Sequence, residues 1–306
     1  MSILSIRGGR AGGTPTARRA WWPGRAGHGF VAPYVVLLIA FGVVPTGYAI
    51  DFAFTDASGR FAGLANFTAA AADFRFASAA AHVALYLLFW LVSLVVLVVG
   101  LALLLHNLAA RGVGKALRFL YYLPGALAGA ASVMVWLFML DPTVSPAGFL
   151  LRAFGLDTFG QVIAPGHLPF VLTAIAFWTG AGGWIVVMYG ALNNISPELM
   201  EAARIDGAGP WQIARRVQIP LLRKWIVYMV ILAFAVGAQL FVEPQLLAQA
   251  SNGVAGRDYS LNQLSYDFAF QNNDLGTAAA VSVVLLVVTL VVAVVFVVKS
   301  GFFDAG

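Results

Sequence analysis

Six apolar runs of about 20 residues each limit the fold of this chain more than any other feature. The first run, from Phe30 to Ile50, contains 21 residues without a charged side chain. As a helix that rises 1.5 Å per residue, it can cross about 30 Å of hydrocarbon. Charged residues make up only 10% of the chain, whereas soluble domains contain about 25%. We therefore predict an all-α, polytopic transmembrane bundle. Its six spans are expected at about 30–50, 83–105, 119–140, 168–192, 225–242 and 278–298.

The first 28 residues differ in composition from the rest. They contain five arginines among glycine, proline, serine and threonine, and they have too few apolar residues to fold. We predict a disordered, basic cytoplasmic tail at 1–28 and one transmembrane domain at 29–306. A cleaved signal peptide is the alternative for the first run, but its apolar region would be only about 7 to 15 residues long.

The basic residues predict the orientation in the membrane. If the spans are as above, 14 of the 18 lysines and arginines lie in the two terminal segments, the loop between spans two and three and the loop between spans four and five. Cytoplasmic loops are enriched in these residues. We expect a multi-pass protein of the cell membrane with both termini in the cytoplasm.

Several chemistries are excluded by what the sequence lacks. The chain has no cysteine, so thiolate metal sites and cysteine nucleophiles are impossible. Its four histidines are scattered singly near the ends of apolar runs, which favours solvated or interfacial positions over metal ligation. The basic residues flank the membrane spans and are not interleaved with aromatic residues on one face, so nucleic acid is not an expected partner. No phosphate-binding glycine motif is present, so we expect no bound cofactor and no ATP hydrolysis by this chain.

The segment 194–224 is the one long polar stretch between two spans that still has the pattern of folded structure. Ser196 can cap a helix whose first residue is Pro197, and Gly207 suits the left-handed residue that closes such a helix. A second helix is predicted to begin at Pro210 and to end where Pro220 interrupts it. Two helices this short are only marginally stable alone. We therefore expect them to dock on a partner.

The same segment resembles the EAA loop of the permease subunits of ATP-binding-cassette (ABC) importers. The resemblance consists of Glu201-Ala202-Ala203, a glycine four positions after Ala203, and Val217-Gln218-Ile219-Pro220 at the expected distance. Val and Ile depart conservatively from the Ile and Leu of that motif. The resemblance implies a type I (MetI-like) permease in which this loop, the coupling helix, sits in a groove of an ATPase subunit. The residues implied for coupling are Glu201, Ala202, Ala203, Arg204, Asp206, Gly207 and Pro220.

The resemblance also implies partners. In that family two permease subunits, usually different chains, line the path, and two ATP-binding subunits supply ATP and Mg²⁺. An extracytoplasmic solute-binding protein delivers the substrate. The remaining partner is the lipid bilayer, and this subunit itself is not an enzyme.

Further stretches are similar to the carbohydrate-uptake branch of these permeases (maltose, glycerol-3-phosphate and trehalose type). They are Phe61–Phe67, which is like a "GLxNF" element, the end of span five at Leu240–Pro244, and Leu261–Ser282. Ser251, Asn252 and Gly253 stand near a position where that branch commonly carries "TGGGP", which puts any specific sugar in doubt.

A sugar path requires hydrogen-bonding groups and aromatic platforms. In the fourth span, a glycine-rich stretch predicts a break in the helix where a cavity opens. Glu243 is expected to face water, protein or ligand, because an acid at the edge of an apolar span is costly in lipid. The candidate path residues are Trp178, Trp184, Tyr189, Gln239, Glu243 and Gln245.

Three alternatives stay open from the sequence. The substrate could be a sugar, or it could be glycerol phosphate, a glycerophosphodiester or another polar solute. A secondary carrier is disfavoured because the spans contain no pair of ionisable residues for a proton relay and no visible inverted repeat. A membrane scaffold without partners is the third alternative.

Overall fold

The structure is a computed structural model, and it describes residues 24–109, 114–126 and 129–300. Residues 1–23 of the predicted disordered tail lie outside the described residues, and the prediction is wrong for 24–28, which already belong to a helix that begins at Gly24. The chain divides into two compact units, Met1–Tyr48 and Ala49–Gly306. Within the described residues the regular structure is helical, apart from one isolated bridge between Thr55 and Phe61, which confirms the all-α class.

Thirteen helices are numbered here in chain order, and a short π or 3₁₀ segment inside a helix is not given a separate number. They are α1 (Gly24–Phe54), α2 (Ala65–Ala72), α3 (Phe74–Ala109), α4 (Gly114–Tyr122), α5 (Gly129–Met139), α6 (Gly148–Ala153), α7 (Phe159–Val162), α8 (Leu168–Asn193), α9 (Pro197–Ile205), α10 (Pro210–Gly237), α11 (Val242–Ala250), α12 (Leu261–Phe270) and α13 (Leu275–Ser300).

Five of these helices, α1, α3, α8, α10 and α13, are long and apolar enough to cross a membrane. The predicted third span is divided instead between two helices. Helix α4 continues as a 3₁₀ turn at Leu123–Ala126. Helix α5 follows this turn after a bend of 101°. Pro124 and Gly125 lie in that turn, where proline lacks a backbone donor and glycine is a poor helix former. The prediction of six spans is therefore met only if this bent pair counts as one span.

Helix α8 is the centre of the described bundle. Its buried residues are distributed along its whole length, and it packs against α3, α4, α10 and α11. The predicted break in this helix is wrong, because α8 is continuous over 26 residues. Two of its glycines, Gly180 and Gly182, serve close packing. A Cβ atom on Gly182 would lie 1.9 Å from the carbonyl oxygen of Tyr121, so only glycine lets the backbones of α8 and α4 come this close.

An ion pair joins the beginning of α3 to α12. The guanidinium of Arg75 donates to Asp267 at 2.6 Å and to Asp73 at 3.0 Å. The hydrogen bonds from Arg75 hold the pKa of Asp73 below its usual value. The single positive charge of Arg75 thus has two carboxylate partners. The clamp fixes α12 against the start of α3.

Asn66 ties the predicted "GLxNF" element to the end of α1. Its side-chain amide donates to the backbone oxygens of Phe52, Ala53 and Thr55, at 2.9 to 3.2 Å. These carbonyls lie at the end of the helix, where acceptors lack the usual helical donor, although that of Phe52 also accepts the N–H of Thr55 at 3.4 Å. The asparagine therefore acts as a C-terminal cap, a role that the sequence comparison alone does not suggest.

Two of the histidines are less solvated than predicted. His82 stacks on Tyr259 with the ring centroids 4.5 Å apart, and His106 lies 6.2 Å from Tyr189. The Nδ1 atom of each ring is buried. Each ring packs against a tyrosine, and the residue as a whole is half-buried.

Candidate functional site

Helix α9 is a short amphipathic helix that buries none of its side chains in this chain. Its apolar residues face outward, with Leu199 51% exposed and Ile205 86% exposed. Ser196 occupies the position before the helix, as predicted. Its hydroxyl, however, donates to the carboxylate of Glu198 at 2.7 Å and accepts no backbone N–H. The helix is thus held mainly by its own backbone.

The end of α9 has the geometry that the sequence predicts. Gly207 adopts φ +81°, the left-handed conformation. The N–H of Gly207 donates to Arg204, and the N–H of Ala208 donates to Ala203, both at 3.0 Å. This pair of bonds is a Schellman motif, which satisfies carbonyls at the end of a helix. The elbow therefore fixes the direction in which the chain leaves α9.

The predicted end of the second helix at Pro220 is wrong. Helix α10 runs from Pro210 to Gly237 without interruption, so the second part of the EAA loop and the fifth span are one helix. A π-helical turn at Ala214–Gln218 precedes Pro220, which then lies in the first turn of the following α-helical part. In a first turn the missing N–H of proline is not needed. The wider turn is what lets the helix continue.

Six of the seven residues predicted for coupling lie on α9 or its elbow, whereas Pro220 lies within α10. Glu201, Ala202, Arg204 and Asp206 are exposed, and Ala203 is half-buried. Trp211, at the beginning of α10, is 72% exposed and was not among the predicted residues. We call α9 with Trp211 the α9 surface. It combines charged side chains with large apolar ones that nothing in the described part of the chain covers.

The aromatic residues predicted for the path are separated along α8. Trp178 packs edge-on against Trp136 at 6.2 Å, and Trp184 against Tyr228 at 5.9 Å. Tyr189 lies beneath the guanidinium of Arg118, at 5.0 Å. Eleven residues separate the first from the last of these three, about 16 Å along the helix. They do not form one site within this chain.

The polar residues predicted for the path lie just after the end of the fifth span (α10) that is farther from α9. Gln239 is exposed in the turn after α10, and its amide donates to the backbone oxygen of Ala235 at 3.4 Å. Glu243 was predicted at the edge of the span, but it lies in the first turn of the separate helix α11. Gln245 accepts a hydrogen bond at 3.0 Å from the amide of the buried Gln263. Gln245 therefore joins α11 to α12.

A cavity of about 670 Å³ lies beside the bent third span. Its walls are almost wholly apolar and come from α3, the bent turn and α8, with Leu101, Leu123, Pro124, Trp178 and Ile185 among them. A cavity next to the glycine-rich stretch was predicted. It is formed by the bend in the third span and not by a break in α8. The Leu-Pro-Gly sequence at 123–125 was the available signal.

Apolar spanning helices, a central helix packed through glycine, and an exposed capped helix between two spans define a membrane-embedded transport subunit. A family model confirms this class and makes it specific. The chain belongs to the family described as binding-protein-dependent transport system inner membrane component, whose model matches residues 112–301, more than half of the chain. It is thus a permease subunit of an ABC importer rather than an enzyme.

Curated relatives cover most of the chain. It is 28% identical to the diacetylchitobiose uptake system permease protein NgcF of Streptomyces coelicolor, over 86% of this chain and 79% of the relative. It is 27% identical to the sn-glycerol-3-phosphate transport system permease protein UgpA of Escherichia coli O157:H7, over 92% and 94%. It is also 27% identical to the osmoprotective compounds uptake permease protein GgtC of Synechocystis, over 86% and 95%.

The solved structures agree on the fold. A bacterial alginate ABC transporter, crystallised with an alginate pentasaccharide-bound periplasmic protein, contains a chain that matches with a TM-score of 0.74. The identity is 21%, and the match covers 89% of this chain and 92% of the other. The predicted permease fold is therefore confirmed.

Proposed function

We propose that this chain is one of two permease subunits of a sugar importer and that an ATP-binding subunit docks on the α9 surface. The observation that carries the docking is α9 itself. A helix of nine residues is marginal in water without a covering partner. In α9 the side chains of Leu199 and Ile205 are exposed, as is that of the neighbouring Trp211. A capped helix with exposed apolar and charged residues suits a groove in a partner.

The connection from α9 to the membrane supports a mechanical role. The Schellman motif at Gly207 fixes α9 relative to the start of α10, and α10 continues as the fifth span. Movement of an ATPase subunit that holds α9 would therefore be passed to a spanning helix by a short elbow. Such rigid-body movement is a common form of switching between two states.

Around Arg75 and Glu243, the charges favour a neutral sugar over a phosphate. A phosphate ligand would require a cation that is not already paired, because anions are best held by arginine or lysine. Arg75 already binds both Asp73 and Asp267. Glu243, in the first turn of α11, would repel a phosphate. The name of the NgcF relative points in the same direction, whereas that of UgpA keeps glycerol phosphate as the competing substrate.

The rest of the assembly follows from the family. We expect a second permease chain, two ATP-binding subunits and an extracytoplasmic binding protein that meets the outer segments around α2, α6 and α11. Both termini and the α9 surface would then be cytoplasmic, in agreement with the distribution of basic residues. The candidate path residues Trp178, Trp184, Tyr189, Gln239, Glu243 and Gln245 would contribute to the path together with the second permease.

The test is to purify the complex through a tag on this chain and to reconstitute it in proteoliposomes with its binding protein. We expect an ATP-binding subunit to copurify and ATP to drive the uptake of a disaccharide from a panel of maltose, trehalose and diacetylchitobiose. Uptake of glycerol 3-phosphate with none of the sugars would contradict the sugar assignment. Absence of any ATP-binding subunit would contradict the docking.

A further inference from the structure

One face of α12 carries exposed aromatic rings. A membrane protein normally buries such rings in its core or places them against lipid. Tyr266 and Phe270 are one helical turn apart, with 37% and 71% of their surface exposed. Asn262, one turn earlier, is half-exposed on the same face. The opposite face packs Leu261, Leu264 and Phe268 into the bundle. The sequence shows this pattern, but only the structure shows which face is free.

The exposed rings form a continuous row with a third aromatic residue. The ring of Tyr266 lies 4.7 Å from that of Phe270 and 5.6 Å from that of Phe241. The rings are tilted by 35° and 47°, so each leaves part of its surface available. Phe241 directly precedes α11 and comes two residues after Gln239. The row thus reaches the segment that contains the polar candidates for the path.

The row also runs inward from the outer end of the bundle. The hydroxyl of Ser265 donates to the backbone oxygen of Ala278 at 2.9 Å and lies 3.0 Å from the hydroxyl of Ser282. These partners lie three to seven residues into α13, about 5 to 10 Å from its beginning at Leu275. From Phe270 to Asn262 the face descends about 12 Å. It begins at the outer surface and ends within the bundle.

The amide side chains at the inner end indicate that this face of α12 is accessible to water and not to lipid. Asn262 lies beneath the aromatic row, and Gln239 is exposed beside Phe241. A polar side chain that faces hydrocarbon at this depth is costly. A surface of aromatic rings bordered by amides matches the chemistry of a pyranose, which has an apolar C–H face and hydroxyls at its rim.

We propose that Asn262, Tyr266, Phe270 and Phe241 form a track on which a sugar ring stacks as it passes from the binding protein into the path. The proposal rests on the proposed sugar import. The aromatic rings supply stacking that does not depend on the configuration of the sugar's hydroxyl groups, and the amides at the inner end supply hydrogen bonds. The track therefore binds pyranoses as a class.

The test measures sugar uptake by the reconstituted complex with its binding protein, using maltose, trehalose and diacetylchitobiose. Tyr266→Ala and Phe270→Ala are each expected to raise KM for the transported sugar about three- to tenfold, the effect of losing one aromatic contact. The maximal rate should stay near that of the wild type. Tyr266→Phe and Phe270→Tyr keep the rings and should keep KM. Phe296→Ala is the matched control, because Phe296 is 42% exposed and lies 21 residues into α13, about 32 Å from the beginning of that helix.

Solvent access is tested separately, because the chain has no cysteine of its own. A membrane-impermeant maleimide added from outside should label Tyr266→Cys, and the transported sugar should slow the labelling. No labelling would show that the face meets lipid or another subunit and would overturn the track. Sugar uptake with unchanged KM in both alanine variants would also overturn it, while leaving the proposed function intact. If the wild type transports none of the sugars, the proposed function and the track both fall.

Discussion

Gly207 offers the sharpest test of the proposed coupling, because its effect can be worked out from backbone geometry alone. The residue has φ +81°, and a Cβ atom built on it meets no atom within 4 Å. Substitution therefore creates no clash, and its cost is the cost of the left-handed conformation. That cost is about 1 kcal/mol for alanine and larger for a β-branched residue. Helix α9 buries no side chain fully, and only Met200 and Ala203 are half-buried, so the elbow at Gly207 contributes much of what holds α9 in place.

In Gly207→Val the cheapest response is for the chain to leave the left-handed region, which breaks the two hydrogen bonds of the Schellman motif. Helix α9 would then change its direction relative to α10, and Glu201, Ala202 and Ala203 would move with it. A penalty of about 2 kcal/mol on the docked geometry corresponds to roughly thirtyfold weaker docking. Asparagine tolerates positive φ better than other residues with a side chain, so Gly207→Asn should lie between the wild type and valine.

The assay compares three quantities for each variant: the amount of this chain in the membrane, the ATP-binding subunit that copurifies with it, and ATP-driven uptake. The first should stay normal, since the spans are not touched, and the other two should fall in Gly207→Val. Gly209→Ala is a matched control two residues away, because Gly209 has φ −71° and its Cβ would approach only Gln212, at 4.0 Å. Full copurification and full uptake in Gly207→Val would refute the assignment of this segment as the coupling element.

Three further predictions concern topology, the outer acid and the packing of α8. An impermeant thiol reagent outside intact cells should label Gly253→Cys and not Arg216→Cys, and the reverse pattern would invert the proposed orientation. Glu243→Gln, which keeps the shape and removes the charge, should alter uptake while the amount of assembled complex stays nearly constant. Wild-type uptake in Glu243→Leu would remove Glu243 from the path. Gly182→Ala should lower the thermal stability of the purified protein, because the new Cβ would lie 1.9 Å from Tyr121 and overpacking typically costs about 1 to 3 kcal/mol. Gly183→Ala, which meets nothing within 4 Å, should change stability little.

Local backbone chemistry is the part of this structure that the sequence predicts best. The start of α9 at Pro197, the left-handed Gly207 and the restart at Pro210 depend on neighbours in sequence, and all three lie where predicted, although the side chain of Ser196 does not cap the helix. The interpretation of Pro220 as an end was wrong, because the rule that proline stops a helix assumes regular α-helical bonding before it. The π turn at Ala214–Gln218 removes that assumption. Nothing in the apolar pattern signals the extra residue in this turn.

The glycines of α8 show why tertiary use of a residue is hard to read from sequence. Low helix propensity at 180–183 predicts a break if the helix is considered alone. In the structure the bent third span approaches so closely that Gly182 has no room for a side chain, and its neighbours' burial keeps α8 helical. The candidate path residues show the same limit of prediction from sequence. Trp178 and Tyr189 are suitable in type, but their spacing on one helix separates them.

The packing of α10 indicates how a push on the α9 surface reaches the outer side. The helix has 28 residues, so it spans about 42 Å. At its outer end a Cβ atom on Gly237 would lie 2.9 Å from the side chain of Leu87 and 3.2 Å from that of Trp90. Its backbone is therefore held against α3 there, whereas Trp211 at the other end is largely exposed. Ile213, Gln218 and Leu222 in the other half of α10 are also buried, so both halves are packed and a push on α9 would move α10 as one rigid helix. Gln239 and Phe241 directly follow the end of α10, so in our proposal a movement of the α9 surface would reach the segment that receives the sugar.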